Sequence, residues 1–277
     1  MPRPPLPPLP PAADRDAVLA ARLTALALLL DALEAHLAGP GPAPPPAEDL
    51  AWRHLAKAVA TGRGAVLLLR AGAWADAAIL TRAVIEQLFA YGWVVHDPAL
   101  AAARAEMATL KQAWANAQYL EALAATAPPA DASRLAAAAG PYREAADRLL
   151  GELSARLDLS PAQVRRAATT RVSEKAVAVQ VDPRFSIPFA HYSGFVHSDG
   201  TALAWYGPPV GEAGRYGLGP RPARVPVAAD LHHALLAVVG AVREACPALG
   251  EAALQAELAA HVAWLGQADA LDPPWAT

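Results

Sequence analysis

Leucines near the start of the chain recur at alternating steps of four and three residues, the spacing of a helix with one buried seam. They are Leu19, Leu23, Leu26, Leu30, Leu33 and Leu37. A similar spacing from Leu100 to Ala117 predicts a second amphipathic helix, and strand-like runs are few. The pattern therefore predicts an all-α protein built as a multi-helix bundle.

Proline and glycine divide the chain into segments. Residues 1–12 are proline-rich and are expected to form a disordered tail. Residues 13–268 are expected to form a single helical-bundle domain, and 269–277 a C-terminal tail. The glycine- and proline-rich stretch 201–225 predicts a short irregular or β-hairpin insertion.

Local breaks are expected at several points inside the bundle. Gly62 is a candidate break in the second helix, and Gly140-Pro141 is expected to break or kink the helix over 130–157. Residues 172–185 are expected to be irregular or briefly extended. Ser186 is the expected N-cap of a short helix that ends near His197.

Composition and charge limit the function classes. Apolar residues make up 55% of the 277 residues and aromatic residues only 6%, which favours closely packed helices. The net charge of −3 gives no overall attraction to nucleic acid or to an anionic membrane. The single cysteine, Cys246, fits a reducing compartment and predicts a cytoplasmic protein. Arg22 and Asp31 interrupt the leucine-rich stretch, so no membrane span is expected.

A pair of opposite charges, Arg82 and Glu86, lies one helical turn apart in a segment that is otherwise apolar. At helical spacing both project among Ala75, Ala78, Phe89 and Trp93. Unpaired burial of a charge costs several kcal/mol. This helix is therefore expected either to stabilise the fold through the pair or to line a site.

A second group of functional side chains occurs in FAHYSGFVHSDG, residues 189–200. Ser193 and His197 lie one turn apart, with His191 and Tyr192 beside them. A histidine at this spacing fits proton transfer, but no residue that orients the imidazole is identifiable, and glycines do not flank the serine as in a nucleophile elbow. The alternative is structural: His197 bonds terminal carbonyls and Ser193 bonds back to the preceding turn.

No metal ion or cofactor is expected. His191 and His197 point to different helix faces, and the chain lacks the ligand set of a closed zinc site. Asp230-Leu-His-His233 is the nearest approach to a di-iron motif, and it is assigned a structural or surface role, as is His261. Phosphate-binding glycine loops are absent.

Basic residues outnumber acidic ones by eight to four between Arg165 and Arg224. Such a run is typical of a solvated face. If these residues form a groove, they favour a phosphate-bearing ligand.

The order of these motifs resembles that of an uncharacterised, mostly bacterial helical family of unknown function. In that family an Arg-x-x-x-Glu helix and an Asp-Pro precede a Ser-x-x-x-His helix end. The matching residues are Arg82 with Glu86, Asp97-Pro98, and Ser193 with His197. The resemblance covers roughly residues 50–265 and implies a helical fold.

The chain is also similar, more distantly, to the HEPN superfamily (higher eukaryotes and prokaryotes nucleotide-binding). Its helical bundles include metal-independent ribonucleases with an Arg-x(4 to 6)-His motif, a spacing that Arg184 and His191 satisfy. This similarity implies an RNA or nucleotide partner.

Two functions remain open from the residues. In the first, Arg82, Glu86 and Ser193 form a polar pocket with His197 as acid or base. That pocket acts on RNA, and His191, Tyr192 and Arg184 contact the substrate. In the second, the same residues are a structural network in a non-catalytic module of stress response, toxin–antitoxin or phage defence, with a protein partner or a second copy.

Overall fold

A computed structural model gives the structure of the protein. It describes residues 4–38, 46–96, 101–197, 209–210, 215–216, 224–243 and 246–271. Ten α-helices form within these residues, which confirms the all-α class. They are α1 Arg15–Leu37, α2 Pro46–Arg70, α3 Trp74–Val95, α4 Ala101–Thr126, α5 Pro129–Leu157, α6 Pro161–Ala168, α7 Val172–Ala178, α8 Pro183–His197, α9 Arg224–Arg243 and α10 Ala252–Leu271.

Three short elements other than α-helices also lie within the described residues. A 3₁₀ helix, Pro247–Gly250, precedes α10. Two strands of two residues each, Pro209–Val210 and Arg215–Tyr216, pair antiparallel. The remainder of the predicted insertion before α9 lies outside the described residues.

Contacts between Cα atoms divide the chain into two compact units, where the sequence predicted one domain over 13–268. Unit 1 comprises Met1–Tyr91 and Gln180–Thr277, and unit 2 comprises Gly92–Val179. The first boundary falls inside α3. Unit 2 is therefore inserted between two parts of unit 1.

The core of unit 1 is formed by α1, α2, α9 and α10. Leu26, Leu30 and Leu33 of the predicted seam are fully buried there. Gly62 does not break α2, which is continuous. A Cβ atom at Gly62 would lie 3.3 Å from side-chain atoms of Leu30 and Leu235. This glycine therefore lets α2 approach α1 and α9 closely.

The core of unit 2 is formed by α4, α5 and α6. Its buried residues include Met107 and Leu110, which the helical spacing predicted, together with Leu150, Leu153 and Val164. α5 continues through Gly140-Pro141 as one helix, so the break predicted there does not occur.

Two local predictions before the candidate site are wrong. Residues 172–178 are not irregular but form α7, whose first turn is closed by Glu174 accepting from the backbone N–H of Arg171 at 2.8 Å. Ser186 is not an N-cap, because α8 begins three residues earlier at Pro183. The Asp182 carboxylate accepts from the backbone N–H of Arg184 at 2.9 Å, and it supplies the cap instead.

Both predicted tails contain residues that belong to the packed structure. Residues 4–12 contain no helix, but Leu6 and Leu9 pack on a buried cluster of unit 1. At the other end, α10 continues to Leu271 and includes Asp269, which the sequence assigned to the tail.

Two described helices, α3 and α9, are long and apolar enough to cross a membrane by length and composition alone. Core helices of soluble proteins pass the same test, so the finding is weak evidence of a membrane span.

Candidate functional site

The first part of the site lies on α3, where Arg82 and Glu86 are one turn apart. Nη1 of Arg82 donates to a carboxylate oxygen of Glu86 at 3.1 Å, which forms an i,i+4 ion pair. The helix holds this pair because residues four apart are neighbours on a helix surface. Glu86 therefore holds the guanidinium against α3.

The second part of the site lies on α8. Nε of Arg82 donates to Oγ of Ser193 at 2.8 Å, although the two residues are 111 positions apart. Oγ of Ser193 in turn donates to the carbonyl oxygen of Phe189 at 2.6 Å, one turn earlier in α8. The hydrogen bond from Ser193 to the preceding turn, which the structural alternative predicted, is thus confirmed. The single proton of this hydroxyl goes to a carbonyl, and its lone pairs receive Arg82.

Aromatic rings reinforce the contact between α3 and α8. The guanidinium carbon of Arg82 lies 4.5 Å from the ring centroid of Phe189, a cation–π distance. The Phe189 ring in turn lies 5.1 Å from that of Phe89 on α3. The sequence did not lead us to Phe189 as a site residue. Its spacing of four residues from Ser193 was the available signal, because this spacing places both residues on one face of the helix.

The charged pair is less buried than its apolar neighbours predicted. The side chain of Arg82 is 18% exposed and that of Glu86 is 35% exposed. Water therefore reaches the pair. Two of its N–H groups serve Glu86 and Ser193, out of the five that an arginine carries.

His197 is the last residue of α8, four positions after Ser193. The helical register places position 197 on the Ser193 face, one turn further along. The side chain of His197 lies outside the described residues, as do Asp97-Pro98 of the resemblance.

Tyr192 is not brought to Arg82. Its ring is buried, and its hydroxyl donates to the Asp230 carboxylate at 2.5 Å. Burial raises the pKa of Asp230 to about 7, Asp269 adds to the rise, and the Tyr192 hydrogen bond and the Arg22 charge oppose it. Burial and Asp230 raise the pKa of Tyr192 well above its usual value. Tyr192 therefore stabilises the interior rather than contacting a substrate.

His191 and Arg184 lie on the exposed surface of α8, two turns apart and so on one face. The His191 ring lies 5.7 Å from that of Tyr192 and 5.9 Å from that of Phe195. Nε of Arg184 pairs with Asp182 at 2.9 Å. These two residues form a surface separate from the Arg82–Ser193 contact.

A buried polar network inside unit 1 was assigned structural or surface roles from the sequence and proves to be structural. Arg22 is 1% exposed and donates to Asp269 at 2.9 Å, and the other Asp269 oxygen lies 2.6 Å from Nε2 of His233. The participation of Arg22 was missed, because it occurs singly on an apolar helix. Within the described residues, no group of three or more His, Cys, Asp or Glu side chains is placed to hold a metal ion.

Two buried histidines complete this network. Nε2 of His232 lies 3.2 Å from Nδ1 of His261. Burial lowers the pKa of His261 to about 4. Burial and the neighbouring His261, His233 and Arg22 lower the pKa of His232 well below its usual value. Both rings are therefore neutral at neutral pH, and one donates a hydrogen bond to the other.

Unit 2 carries a cleft of about 410 Å³ with a mixed charged lining. It is lined by Trp114, Ala117, Gln118, Glu121, Arg143, Asp147, Arg165, Arg166 and Thr169. The Arg165 guanidinium lies 5.0 Å from the Trp114 ring centroid, while Arg143 pairs with Glu121. Arg165 and Arg166, which belong to the basic run between Arg165 and Arg224, thus line this cleft.

Comparison with protein families places part of the chain in a family. The model of a family of unknown function (DUF5677) matches residues 48–207. The match includes Arg82, Glu86, Ser193 and His197, and it bears out the resemblance to an uncharacterised family over a shorter stretch than 50–265. No curated protein and no solved structure matches the chain.

Proposed function

The chain belongs to the DUF5677 family of unknown function, and from that premise we propose that the Arg82–Glu86–Ser193 site binds a phosphate group of RNA and cleaves the RNA without a metal ion. In this proposal His197 is the proton-transfer group. The observation that carries the proposal is the 2.8 Å hydrogen bond from Arg82 to Ser193, which joins α3 to the helix that ends in His197.

The chemistry rests on a permanently charged, oriented guanidinium. Glu86 and Ser193 hold Arg82 from two directions, and its remaining N–H groups suit two oxygens of a phosphate. Positioned donors of this kind stabilise the negative charge that develops during phosphoryl transfer. Arg82 is therefore the anion-binding residue, and Glu86 and Ser193 are positioning residues.

The reaction that suits these groups is attack by the ribose 2′-hydroxyl on the adjacent phosphorus. The neutral imidazole of His197 takes the 2′-hydroxyl proton. The bond from phosphorus to the 5′-oxygen breaks, that oxygen takes a proton from solvent, and a 2′,3′-cyclic phosphate remains. No water enters the attack, so no metal-bound hydroxide is needed.

The rival function is a non-catalytic helical module that binds a protein partner. One observation favours it: Arg82 is bonded to Glu86 and Ser193 and stacked on Phe189, so its contacts already serve to hold α3 against α8. In that account His197 has no chemical role.

The test is incubation of a mixed-sequence RNA with the full chain in EDTA, followed by identification of the end groups. The wild type is expected to give 2′,3′-cyclic phosphates. H197A is expected to lose activity 100-fold or more, roughly the contribution of general acid–base catalysis. R82K is expected to lose a similar factor, because lysine cannot serve the phosphate and both positioning residues together.

H191A is the matched control, since His191 is another histidine of α8 and is exposed. It is expected to retain activity. Loss of activity in H191A but not in H197A would move the site to the Arg184–His191 surface. RNA that stays intact with the wild type, while R82K and S193A merely unfold more readily, would support the rival.

A further inference from the structure

The proline-rich segment before α1 repeats every three residues. Leu6 and Leu9 each follow two prolines in the run PPLPPLPP, residues 4–11. Proline fixes φ near −65° and restricts the residue before it to extended conformations. Such a segment is already close to a polyproline II helix, which has three residues per turn. Leu6 and Leu9 therefore share one edge of the segment.

Burial in the structure follows the same three-residue period. Leu6, Pro7, Leu9 and Pro10 are partly buried, whereas Pro5, Pro8 and Pro11 are exposed. The segment thus lies against the protein along one edge and faces solvent along another. This alternation is how a polyproline II peptide occupies a groove.

The surface beneath the segment is formed by α1 and α10. Leu6 and Leu9 pack on a cluster of Ala21, Ala25, Trp264, Leu265 and Ala268. The small alanines leave room for the leucines, and the Trp264 ring forms one wall. Together these residues define the Trp264 groove.

A directional hydrogen bond accompanies the apolar contact. Nε1 of Trp264 donates to the carbonyl oxygen of Pro7 at 2.8 Å. Prolines lack a backbone N–H, so each proline of such a peptide offers a carbonyl acceptor and no backbone donor. An indole N–H beside an apolar groove is complementary to that chemistry.

A cavity of about 240 Å³ lies beside Pro4, Pro5 and Leu6, with His261 and Leu28 on its walls. The surface next to the segment is therefore concave.

We propose that the Trp264 groove is a binding site for a proline-rich peptide with leucine at every third position, and that residues 4–11 occupy it as an intrachain ligand. A partner protein that carries such a sequence binds by displacing residues 4–11. The site lies on α1 and α10, so it is independent of the proposed RNA site on α3 and α8.

The test uses a fluorescein-labelled peptide of the sequence PRPPLPPLPP and measures its anisotropy against the full chain. L6D/L9D removes the two leucines that hold the intrachain segment. This variant is expected to bind the peptide about tenfold or more tightly than the wild type, because a tethered ligand competes at an effective concentration near millimolar. P5D/P8D adds the same charges at exposed positions and is expected to behave as the wild type.

Two further measurements identify the contacts. A peptide in which both leucines are aspartate is expected not to bind any of the proteins. W264F, introduced into L6D/L9D, keeps a ring but removes the indole donor, and is expected to weaken binding about three- to tenfold.

Absence of peptide binding to folded L6D/L9D, judged by its helical circular dichroism, would overturn the proposal. If that variant loses its helical signal, the wild type is titrated with millimolar peptide, and equal shifts by the leucine and aspartate peptides would overturn it instead. A concentration-dependent wild-type dimer that L6D/L9D abolishes would assign the groove to a second copy of the chain.

Discussion

Ser193 accepts a hydrogen bond from Arg82 at 2.8 Å and donates one to the Phe189 carbonyl at 2.6 Å. The direction of these bonds defines the role of the serine. Its hydroxyl oxygen accepts from the guanidinium, and its hydroxyl hydrogen is directed at the Phe189 carbonyl. The residue therefore orients Arg82 between two helices.

Replacing Ser193 by alanine is expected to lower the free energy of unfolding by about 1.5–3 kcal/mol, because Arg82 loses a partner for a charged hydrogen bond. S133A is the matched control. Ser133 also bonds back to the carbonyl four residues earlier, but it is exposed and has no arginine partner. Urea denaturation of both variants should give less than about 0.5 kcal/mol for S133A, and equal losses would contradict the positioning role.

The two partners of Arg82 are expected to contribute unequally. E86Q should cost less than about 1 kcal/mol, because the Glu86 carboxylate is one-third exposed and solvent screens the pair. R82A should cost more, since it also removes the Ser193 bond and the Phe189 contact. Thermal melts at low and high salt test this, and a loss in E86Q as large as that in R82A would refute it.

The pair of the buried Arg22 and the partly exposed Asp269 is expected to be sensitive to removal of one partner. D269A leaves an uncompensated guanidinium that is 1% exposed, and it should lower the free energy of unfolding of unit 1 by about 3–5 kcal/mol. The double variant R22L/D269L, which removes both charges, should cost less than D269A alone.

E106A is the control for that experiment, because it breaks the exposed pair of Glu106 with Arg156. Its effect should stay below about 1 kcal/mol. Chemical denaturation followed by circular dichroism measures the stability of D269A, R22L/D269L and E106A. If D269A lost as little stability as E106A, water would be shown to replace Asp269 as the partner of Arg22.

Stability is expected to fall as the pH drops from 6.5 towards 4. The pKa of His232 lies well below its usual value, and that of His261 is about 4. Each histidine therefore takes up a proton on unfolding in this pH range. The pKa of Asp230 is raised to about 7, so this group is protonated in the folded state and releases its proton on unfolding. The unfolded state thus binds about one more proton, which gives a slope of roughly 1.4 kcal/mol per pH unit.

D230N is expected to steepen that slope. The stability that protonated Asp230 contributes is present at low pH and is lost as the pH rises through 7, so it opposes the histidines. Without it, the slope between pH 4.5 and 6 should increase by roughly 1.4 kcal/mol per pH unit. A D230N profile parallel to that of the wild type would contradict the assignment.

The helices of the cores could be predicted because their apolar spacing is periodic. Met107 and Leu110 of α4 are buried as their three-and-four spacing indicates, and so are all the seam leucines of α1 except Leu37, which is half-buried. The α7 helix could not be predicted in this way. It is seven residues long and only Ala176 is buried, so its stability depends on local closure by Glu174 rather than on a hydrophobic face.

The candidate site could be predicted in part. Two charges in an apolar helix indicated that Arg82 needs partners, and Glu86 is visible four residues away. The pairing of Arg82 with Ser193 depends on how α3 and α8 meet, which no local pattern encodes. The packing of Leu6 and Leu9 was missed because proline-rich composition is typical of disorder, although their three-residue period was the signal.

The insertion of unit 2 into unit 1 has a consequence for biosynthesis. Arg82 leaves the ribosome 111 residues ahead of Ser193. At bacterial or eukaryotic elongation rates this interval lasts roughly 5 to 20 s. By the end of that time all of unit 2 has been translated, while α3 still has no α8 to pack on. A nascent chain stalled just before residue 180 should therefore contain the whole of unit 2 but an incomplete unit 1, a natural substrate for chaperones.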